Sequence, residues 1–197
     1  MKRPHITVLG YALLGLVHQK PQSGYELRKT FAETAMGNYS SSPGAIYPAL
    51  ERLETDRLIA GKVEDGAGLR RRRIYRPTKA GIAALRQWLA APIQSADVER
   101  GTPELMLRFC FMEHTLGAEA CVTFLGEFGR ALTPYIAHLE DFRTANAGNM
   151  PRSARLALES GIRGYRTLEE WTQYALRLYR ASGKQPSKSP VRRNHGK

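Results

Sequence analysis

The chain has 197 residues, of which 42 % are hydrophobic and 24 % are charged. This length and composition are typical of a globular protein with one large domain or two small ones, and they exclude a collagen-like, mainly disordered or rod-like chain. The formal net charge of +12 is unevenly distributed: residues 1–90 contain fifteen Lys or Arg against seven Asp or Glu, residues 91–181 contain ten against eleven, and residues 182–197 contain five against none. A basic N-terminal half joined to a nearly neutral half predicts a polyanion-binding module attached to a part with another role.

The sequence contains no signal for a membrane or a secretory pathway. No run of eighteen apolar residues occurs, and the apolar stretch from Ile6 to Val17 is too short to span a bilayer. Cys110 and Cys121 lie in sequences with a helical pattern, which favours free thiols in a reducing compartment over a disulfide framework. We therefore expect a cytoplasmic protein.

Two helices are predicted at the start of the chain. Apolar residues recur at helical spacing from Ile6 to Val17, and Ser23 with Glu26 three residues later forms a capping box for the next helix. We expect this second helix to end at Gly37. Its apolar face is expected to carry Tyr25, Leu27 and Phe31.

A third helix is predicted after the serine cluster at residues 40–42. Ser42 can cap this helix with Pro43 at its first position, and its buried face is expected to carry Ile46, Leu50 and Leu53. Pro48 removes one helical hydrogen bond, so we expect a distorted first turn.

A hairpin and a fourth helix complete the N-terminal half. Residues 58–64 and 69–76 are β-compatible and flank the turn Asp65-Gly66-Ala67-Gly68. Thr78 then caps a helix that carries Ile82, Leu85, Trp88 and Leu89. Three helices, a hairpin and a helix in this order predict a helix-turn-helix with a β-hairpin wing.

The C-terminal half is predicted to be helical. Glu104 to Glu113 is apolar on nearly every side and is expected to be buried all round. From Cys121 onward, apolar residues alternate spacings of four and three, which predicts a coiled-coil-like seam with a partner helix and a kink at Pro134. A last helix follows a turn at residues 148–151. The seam residues that we expect to mediate dimerisation are Leu125, Phe128, Leu132, Tyr135, Leu139 and Phe142.

The N-terminal half resembles the PadR family of transcriptional regulators. The resemblance rests on residues 13–16 (LLGL), 23–27 (SGYEL), 44–54 (GAIYPALERLE) and 71–78 (RRRIYRPT). It implies a bacterial homodimeric repressor whose winged helices bind a two-fold operator, and which in some members is released by phenolic or other aromatic molecules. The sequence departs from the family pattern at Tyr39, where the aromatic residue is usually Trp, at Arg57, which replaces a turn glycine, and at Pro77, which replaces an apolar residue.

The third helix is the candidate for reading double-stranded DNA, because a helix fits the major groove and its N-terminus offers N–H groups to phosphate. The alternative is that Ser42 only caps the helix and that Tyr47 only packs on the wing. The residues of this segment that we expect to contact DNA are Ser40, Ser41, Ser42, Gly44, Tyr47 and Arg52.

The wing carries four consecutive arginines. Strand alternation would send Arg70 and Arg72 to one face and Arg71 and Arg73 to the other. Beside a groove-binding helix these side chains would contact phosphate or the minor groove, although such a run is often only a solvated surface.

Trp88 is a candidate effector-binding residue because it precedes the predicted linker. An indole there could stack on a flat aromatic guest, and the alternative is that it only packs one domain against the other. Cys110 and His114 stand four residues apart, yet two ligands do not make a metal site, so no metal or cofactor is expected. The sequence also contains no phosphate-binding, nucleophile-elbow, zinc-protease or dinucleotide motif, and we expect no enzymatic activity.

The predicted protein is therefore mainly α-helical with a small β-hairpin wing. Residues 1–90 form a winged helix-turn-helix DNA-binding domain, 91–101 a linker, 102–181 a helical dimerisation domain and 182–197 a disordered basic tail. Two alternatives stay open. One is a helical scaffold protein whose basic face meets an acidic protein or a membrane surface, and the other is a carrier of small aromatic molecules.

Overall fold

The computed structural model describes residues 5–39, 43–65, 71–100 and 102–182. Within these ranges the chain is mostly helical with one small antiparallel sheet. The chain divides into two compact units, residues 1–121 and residues 122–197. No helix of the described ranges is long and apolar enough to cross a membrane.

The first unit opens with helices α1 (Val8–Gln19) and α2 (Gly24–Glu33). The predicted capping box of α2 is confirmed, since the Ser23 N–H donates to Glu26 Oε2 at 2.8 Å and the Glu26 N–H donates to Ser23 Oγ at 3.3 Å. Helix α2 ends at Glu33, before the predicted Gly37, because the chain tightens into a 3₁₀ turn at Ala35–Tyr39.

Helix α3 (Ile46–Thr55) begins later than predicted, after a 3₁₀ turn at Pro43–Ala45. Pro48 is therefore the third residue of the helix, where the backbone N–H has no helical partner to lose. The predicted buried face is confirmed, with Ile46, Leu50 and Leu53 at most 4 % exposed. The proposed cap Ser42 lies outside the described residues.

The sheet consists of β1 (Gln22–Ser23), β2 (Ile59–Asp65) and β3 (Arg71–Pro77) in the order β1-β3-β2, with antiparallel pairing throughout. The β2–β3 hairpin is the predicted wing, and β1 was not predicted because two residues are too few to carry a periodic signal. Arg57, at the exit of α3, has φ 57°, the left-handed conformation expected where the family pattern has glycine.

Helix α4 (Lys79–Leu89) begins at the predicted cap, since Thr78 Oγ1 accepts from the Gly81 N–H at 3.0 Å. Helices α5 (Ser95–Glu99) and α6 (Pro103–Leu116) follow. The segment predicted as a linker thus contains a helix, whose Val98 is fully buried.

Helix α6 belongs to the first unit because it packs against α1 and α4. A Cβ on Gly15 would lie 2.6 Å from the Phe111 ring, so the glycine permits close approach of α1 and α6. Arg108, 4 % exposed, donates from Nη2 to the Leu89 carbonyl at 3.0 Å. The prediction of burial on every side is wrong: Glu104, Cys110 and Glu113 are exposed. The first unit extends to residue 121, beyond the predicted end of the winged domain at residue 90.

The second unit contains most of α7 (Ala118–Ala145) and α8 (Arg152–Ser182). Helix α7 continues through Pro134. The partner of its apolar seam lies in the same chain: the rings of Tyr135 and Tyr165 meet edge to face with centroids 5.0 Å apart, and Thr133 Oγ1 donates to Glu169 Oε1.

Candidate nucleic-acid interface

A groove of ≈ 500 Å³ opens between the N-terminus of α2, helix α3 and strand β3. Two large aromatic side chains in it are exposed to solvent, Tyr25 by 62 % and Tyr47 by 50 %. Its lining therefore combines aromatic rings, backbone of a helix N-terminus and cations. The lining residues are Ser23, Gly24, Tyr25, Tyr47, Arg71, Arg72, Arg73 and Tyr75.

The close approach of α2 and α3 positions Tyr47. A Cβ on Gly24 would lie 2.8 Å from Tyr47 Cε1, so only glycine lets the ring lie against the start of α2. Tyr47 also lines the groove. Tyr47 is therefore placed by packing and is still accessible to a ligand.

Strand β3 brings three of the four predicted arginines to the groove. Arg71, Arg72 and Arg73 are all exposed. Arg73 and Tyr75 share one face of the strand, as alternation predicts, since the guanidinium lies 5.9 Å from the centre of the Tyr75 ring. Burial is the main cause that raises the pKa of Tyr75.

Arg73 is held by Glu54 of α3. Arg73 Nη2 donates to Glu54 Oε1 at 2.8 Å and to Oε2 at 2.9 Å. This hydrogen bond, supported by one from the Gly61 N–H, lowers the pKa of Glu54. The pairing could not be predicted from spacing, because nineteen residues separate the two side chains.

Two of the remaining predicted contact residues, Arg52 and Gly44, do not line the groove. Arg52 is exposed on another side of α3, where it lines a small cavity with Asp56. Gly44 is exposed in the 3₁₀ turn before α3. Ser40, Ser41, Ser42 and Arg70 lie outside the described residues.

Tyr25 is a groove residue that the sequence analysis assigned to the core. Its exposure shows that assignment to be wrong. A helical wheel of about 100° per residue places Tyr25 about 200° from Leu27, so the angle was the signal that could have identified it. Arg28 stacks on it from the next turn, with Cζ 5.6 Å from the ring centre.

Trp88 is a contact residue of the first unit. Its indole stacks on Tyr11, and its Nε1 donates to Glu104 Oε1 at 2.9 Å. Glu104 also lines a cavity of ≈ 410 Å³, together with Tyr39, Arg100 and Arg108. One face of the indole is thus covered, and a guest in this cavity would meet Glu104.

The predicted dimer residues divide by burial. Leu125, Phe128 and Leu132 are fully buried within one chain, Tyr135 and Leu139 are half-buried, and Phe142 is 49 % exposed. The first three are therefore covered by the chain's own helices.

The histidines and cysteines of the described ranges do not assemble a metal site. Among the described residues, no group of three or more His, Cys, Asp or Glu side chains could hold a metal ion. His114 instead meets His18 of α1 edge to face, with ring centroids 5.1 Å apart.

Comparison with known proteins places the groove in a characterised family domain. Residues 13–87 match the profile of the family described as "Transcriptional regulator PadR-like family". All the groove residues fall inside this match. The resemblance predicted from the sequence is confirmed for this segment.

Curated relatives match part of the chain. The chain is 49 % identical over 55 residues to the transcriptional regulator Rv3488 of Mycobacterium tuberculosis, which covers 27 % of this chain and 49 % of the relative. It is 38 % identical over 58 residues to the transcriptional regulator YqjI of Escherichia coli, covering 29 % and 28 %. It is 30 % identical over 82 residues to the negative transcriptional regulator PadR of Bacillus subtilis, covering 42 % and 45 %. The chain thus matches less than half the length of each of these relatives.

Solved structures give weaker matches over more of the chain. Bacillus subtilis PadR in complex with operator DNA is 21 % identical, with 89 % of this chain and 99 % of that chain covered and a TM-score of 0.42. The PadR-like regulator BC1756 from Bacillus cereus is 21 % identical, with 88 % and 99 % covered and a TM-score of 0.37.

Proposed function

From the PadR-like domain at residues 13–87, we propose that the protein is a DNA-binding transcriptional regulator of the PadR type. The groove carries this proposal, because it sets exposed aromatic rings beside exposed arginines on a winged helix. The excess of eight positive charges over residues 1–90 supports a polyanionic partner.

The proposed contacts follow from the chemistry of the groove. Helix α3 enters the major groove and presents Tyr47 to base edges, since a phenol can donate and accept hydrogen bonds. Arg71 and Arg72 meet phosphates beside it, and their charge provides affinity that does not depend on sequence. Tyr25 extends the same surface onto α2.

A homodimer that binds a two-fold operator completes the proposal. Four large apolar side chains of the second unit are about half exposed in one chain, and a second copy would cover them. In a dimer the two α3 helices would need a separation of about 34 Å to enter successive major grooves. The four side chains are Phe142, Leu156, Tyr174 and Leu178.

Repression released by a small aromatic effector is the proposed mode of regulation. The relative matched over 82 residues is a negative regulator, which supports repression. The cavity beside Glu104 is the proposed effector site, because Glu104 accepts from Trp88 and a guest could compete for this contact. An effector in this cavity would change DNA binding only if it bound more tightly to one arrangement of the dimer than to the other.

Sequencing the DNA that co-purifies with the protein at moderate salt supplies the candidate operator. Fluorescence anisotropy then compares the recovered duplex with a scrambled duplex of the same composition, over a range of salt concentrations. We expect tighter binding to the recovered duplex, because a regulator binds its specific site with an affinity about a thousandfold or more above its affinity for nonspecific DNA. Equal binding to both duplexes would contradict the proposal and leave the scaffold or carrier alternatives.

Arginine variants provide the matched control for this experiment. Arg72→Ala, in the groove, is expected to weaken binding and to lower the slope of log K against log salt by about one. Arg155→Ala removes an equally exposed cation from α8 and should leave both quantities unchanged. The same loss in both variants would show that only net charge matters.

A further inference from the structure

One carboxylate joins helix α3 to both strands of the wing. Glu54, near the end of α3, accepts two hydrogen bonds from Arg73 Nη2, at 2.8 and 2.9 Å. Its Oε1 also accepts from the Gly61 N–H at 2.9 Å. Arg73 belongs to β3 and Gly61 to β2, so these three residues form a unit that we call the wing clamp.

The sheet topology explains why Gly61 can donate outward. Strand β2 is at the edge of the sheet and pairs only with β3, so alternate N–H groups of β2 point away from the ladder. The Gly61 N–H is one of these, and Glu54 satisfies it. The clamp therefore also covers part of an exposed strand edge.

The space inside the clamp requires glycine at position 61. A Cβ there would lie 2.4 Å from Arg73 Nε and 3.0 Å from Glu54 Oε1. The Arg73 guanidinium also lies over the ring of Tyr75, which lines the groove beside Tyr47. The clamp is thus continuous with the proposed DNA-binding surface.

We propose that Glu54 is a positioning residue that fixes the wing relative to α3, and that Arg73 serves this contact and not a phosphate. This inference rests on the proposed DNA-binding function. It separates the three wing arginines into two roles, with Arg71 and Arg72 meeting DNA and Arg73 holding the surface in shape.

The two possible roles of Arg73 predict opposite effects of Glu54→Gln. If Arg73 met a phosphate, removing the Glu54 charge would release the guanidinium and raise the affinity for DNA. If Glu54 positions the wing, the same change weakens binding to the recovered duplex by about threefold to fivefold, as for a partly exposed ion pair.

The test measures binding of the full chain to the recovered duplex as a function of salt. For a positioning role, Glu54→Gln, Arg73→Ala and the double variant lose the same factor, because all three break one contact. Their salt slopes equal that of the wild type, because none of these changes removes a phosphate contact. A raised affinity for Glu54→Gln, or a lower salt slope for Arg73→Ala, would overturn the proposal.

Glu64→Gln is the matched control. Glu64 pairs with Arg76 at 2.7 Å, and both residues belong to the hairpin. This variant removes the same charge from the same wing, so we expect no loss of affinity. A loss of affinity equal to that of Glu54→Gln would show that breaking any ion pair of the wing weakens DNA binding, and it would contradict the special role of Glu54.

A measurement without DNA separates this inference from the proposed function. In the free protein, amide exchange at Gly61 should be about fivefold faster in Glu54→Ala and unchanged in Glu64→Ala. Unchanged exchange in both variants would overturn the clamp. If the wild type prefers no duplex, the proposed function fails, and amide exchange still decides whether Glu54 holds the wing.

Discussion

The ring of Tyr11 lies parallel to the indole of Trp88, with centroids 4.4 Å apart and planes inclined by 4°. Trp88 belongs to α4 and also donates to Glu104 of α6. Burial, together with the Glu104 carboxylate, raises the pKa of Tyr11. One tryptophan therefore connects three helices of the first unit. These contacts show that Trp88 packs α4 against α1 and α6.

Two substitutions of Trp88 should destabilise the first unit to different extents. We expect Trp88→Ala to lower the free energy of unfolding by about 2 kcal/mol, because it removes both the ring stack and the hydrogen bond. Trp88→Phe keeps a ring against Tyr11 and should lose about 1 kcal/mol. Urea denaturation followed by far-ultraviolet circular dichroism measures both, and equal losses would show that the stack contributes nothing.

His18 should make stability depend on pH. Burial of the imidazole, followed by the positive charges of His114 and Arg86, lowers the pKa of His18 below its value of about 6.5 in the unfolded chain. The unfolded chain therefore binds more protons, so stability is complete above about pH 7 and is lost as the pH falls below the unfolded pKa.

In the wild type we expect the midpoint of urea unfolding to decrease between pH 7 and pH 5, the window set by this shift. In His18→Gln the midpoint should change less over the same pH range. His138→Gln on α7, where the histidine is exposed, is the control and should follow the wild type. A wild-type midpoint that rises as the pH falls would contradict the sign of this prediction.

Gly81 and Gly161 should respond to alanine in opposite directions. A Cβ on Gly81 would lie 2.0 Å from the Leu58 carbonyl oxygen, whereas nothing lies within 4 Å of a Cβ on Gly161. Gly81→Ala should therefore destabilise the protein by about 2 kcal/mol or more, since backbone must move. Gly161→Ala should stabilise α8 by about 0.5 to 1 kcal/mol through lower chain entropy. Thermal unfolding of the two variants measures these effects. An unchanged melting temperature for Gly81→Ala would contradict the close packing of Gly81 against Leu58.

Tyr47 should contribute to sequence preference. If Tyr47 contacts bases, Tyr47→Ala weakens binding to the recovered duplex by about 1 to 3 kcal/mol and weakens binding to a scrambled duplex less. Tyr47→Phe keeps the ring and removes only the hydroxyl group, so this variant separates the hydrogen bond to a base from the packing of the ring. Equal losses of Tyr47→Ala on both duplexes would assign Tyr47 to phosphate contacts.

Exposed and buried residues of the predicted seam should differ when changed to lysine. Phe142→Lys is expected to give a folded monomer, because the side chain is half exposed and would lie in the dimer contact. Leu132→Lys places a charge in a fully buried site and is expected to unfold the second unit. Sedimentation and circular dichroism distinguish these outcomes, and a Phe142→Lys dimer would contradict the proposed contact.

The sequence by itself determined the features that depend on neighbouring residues. The capping box at Ser23 and Glu26, the cap at Thr78 and the β2–β3 hairpin form where predicted. The left-handed conformation of Arg57 was foreseeable because the family pattern has a turn glycine at this position. Each of these depends on hydrogen bonds or dihedral angles within a few residues, so local chemistry is sufficient.

Tertiary structure alone decided the features that depend on residues distant in sequence. Helix α6 joined the first unit because Gly15 admits Phe111. The seam residue Leu132 was covered within its own chain. Arg73, one of four arginines alike in sequence, was paired with Glu54. Which side chains meet is set by how helices and strands pack, and a pattern of spacings along one element holds no information about the element that will cover it.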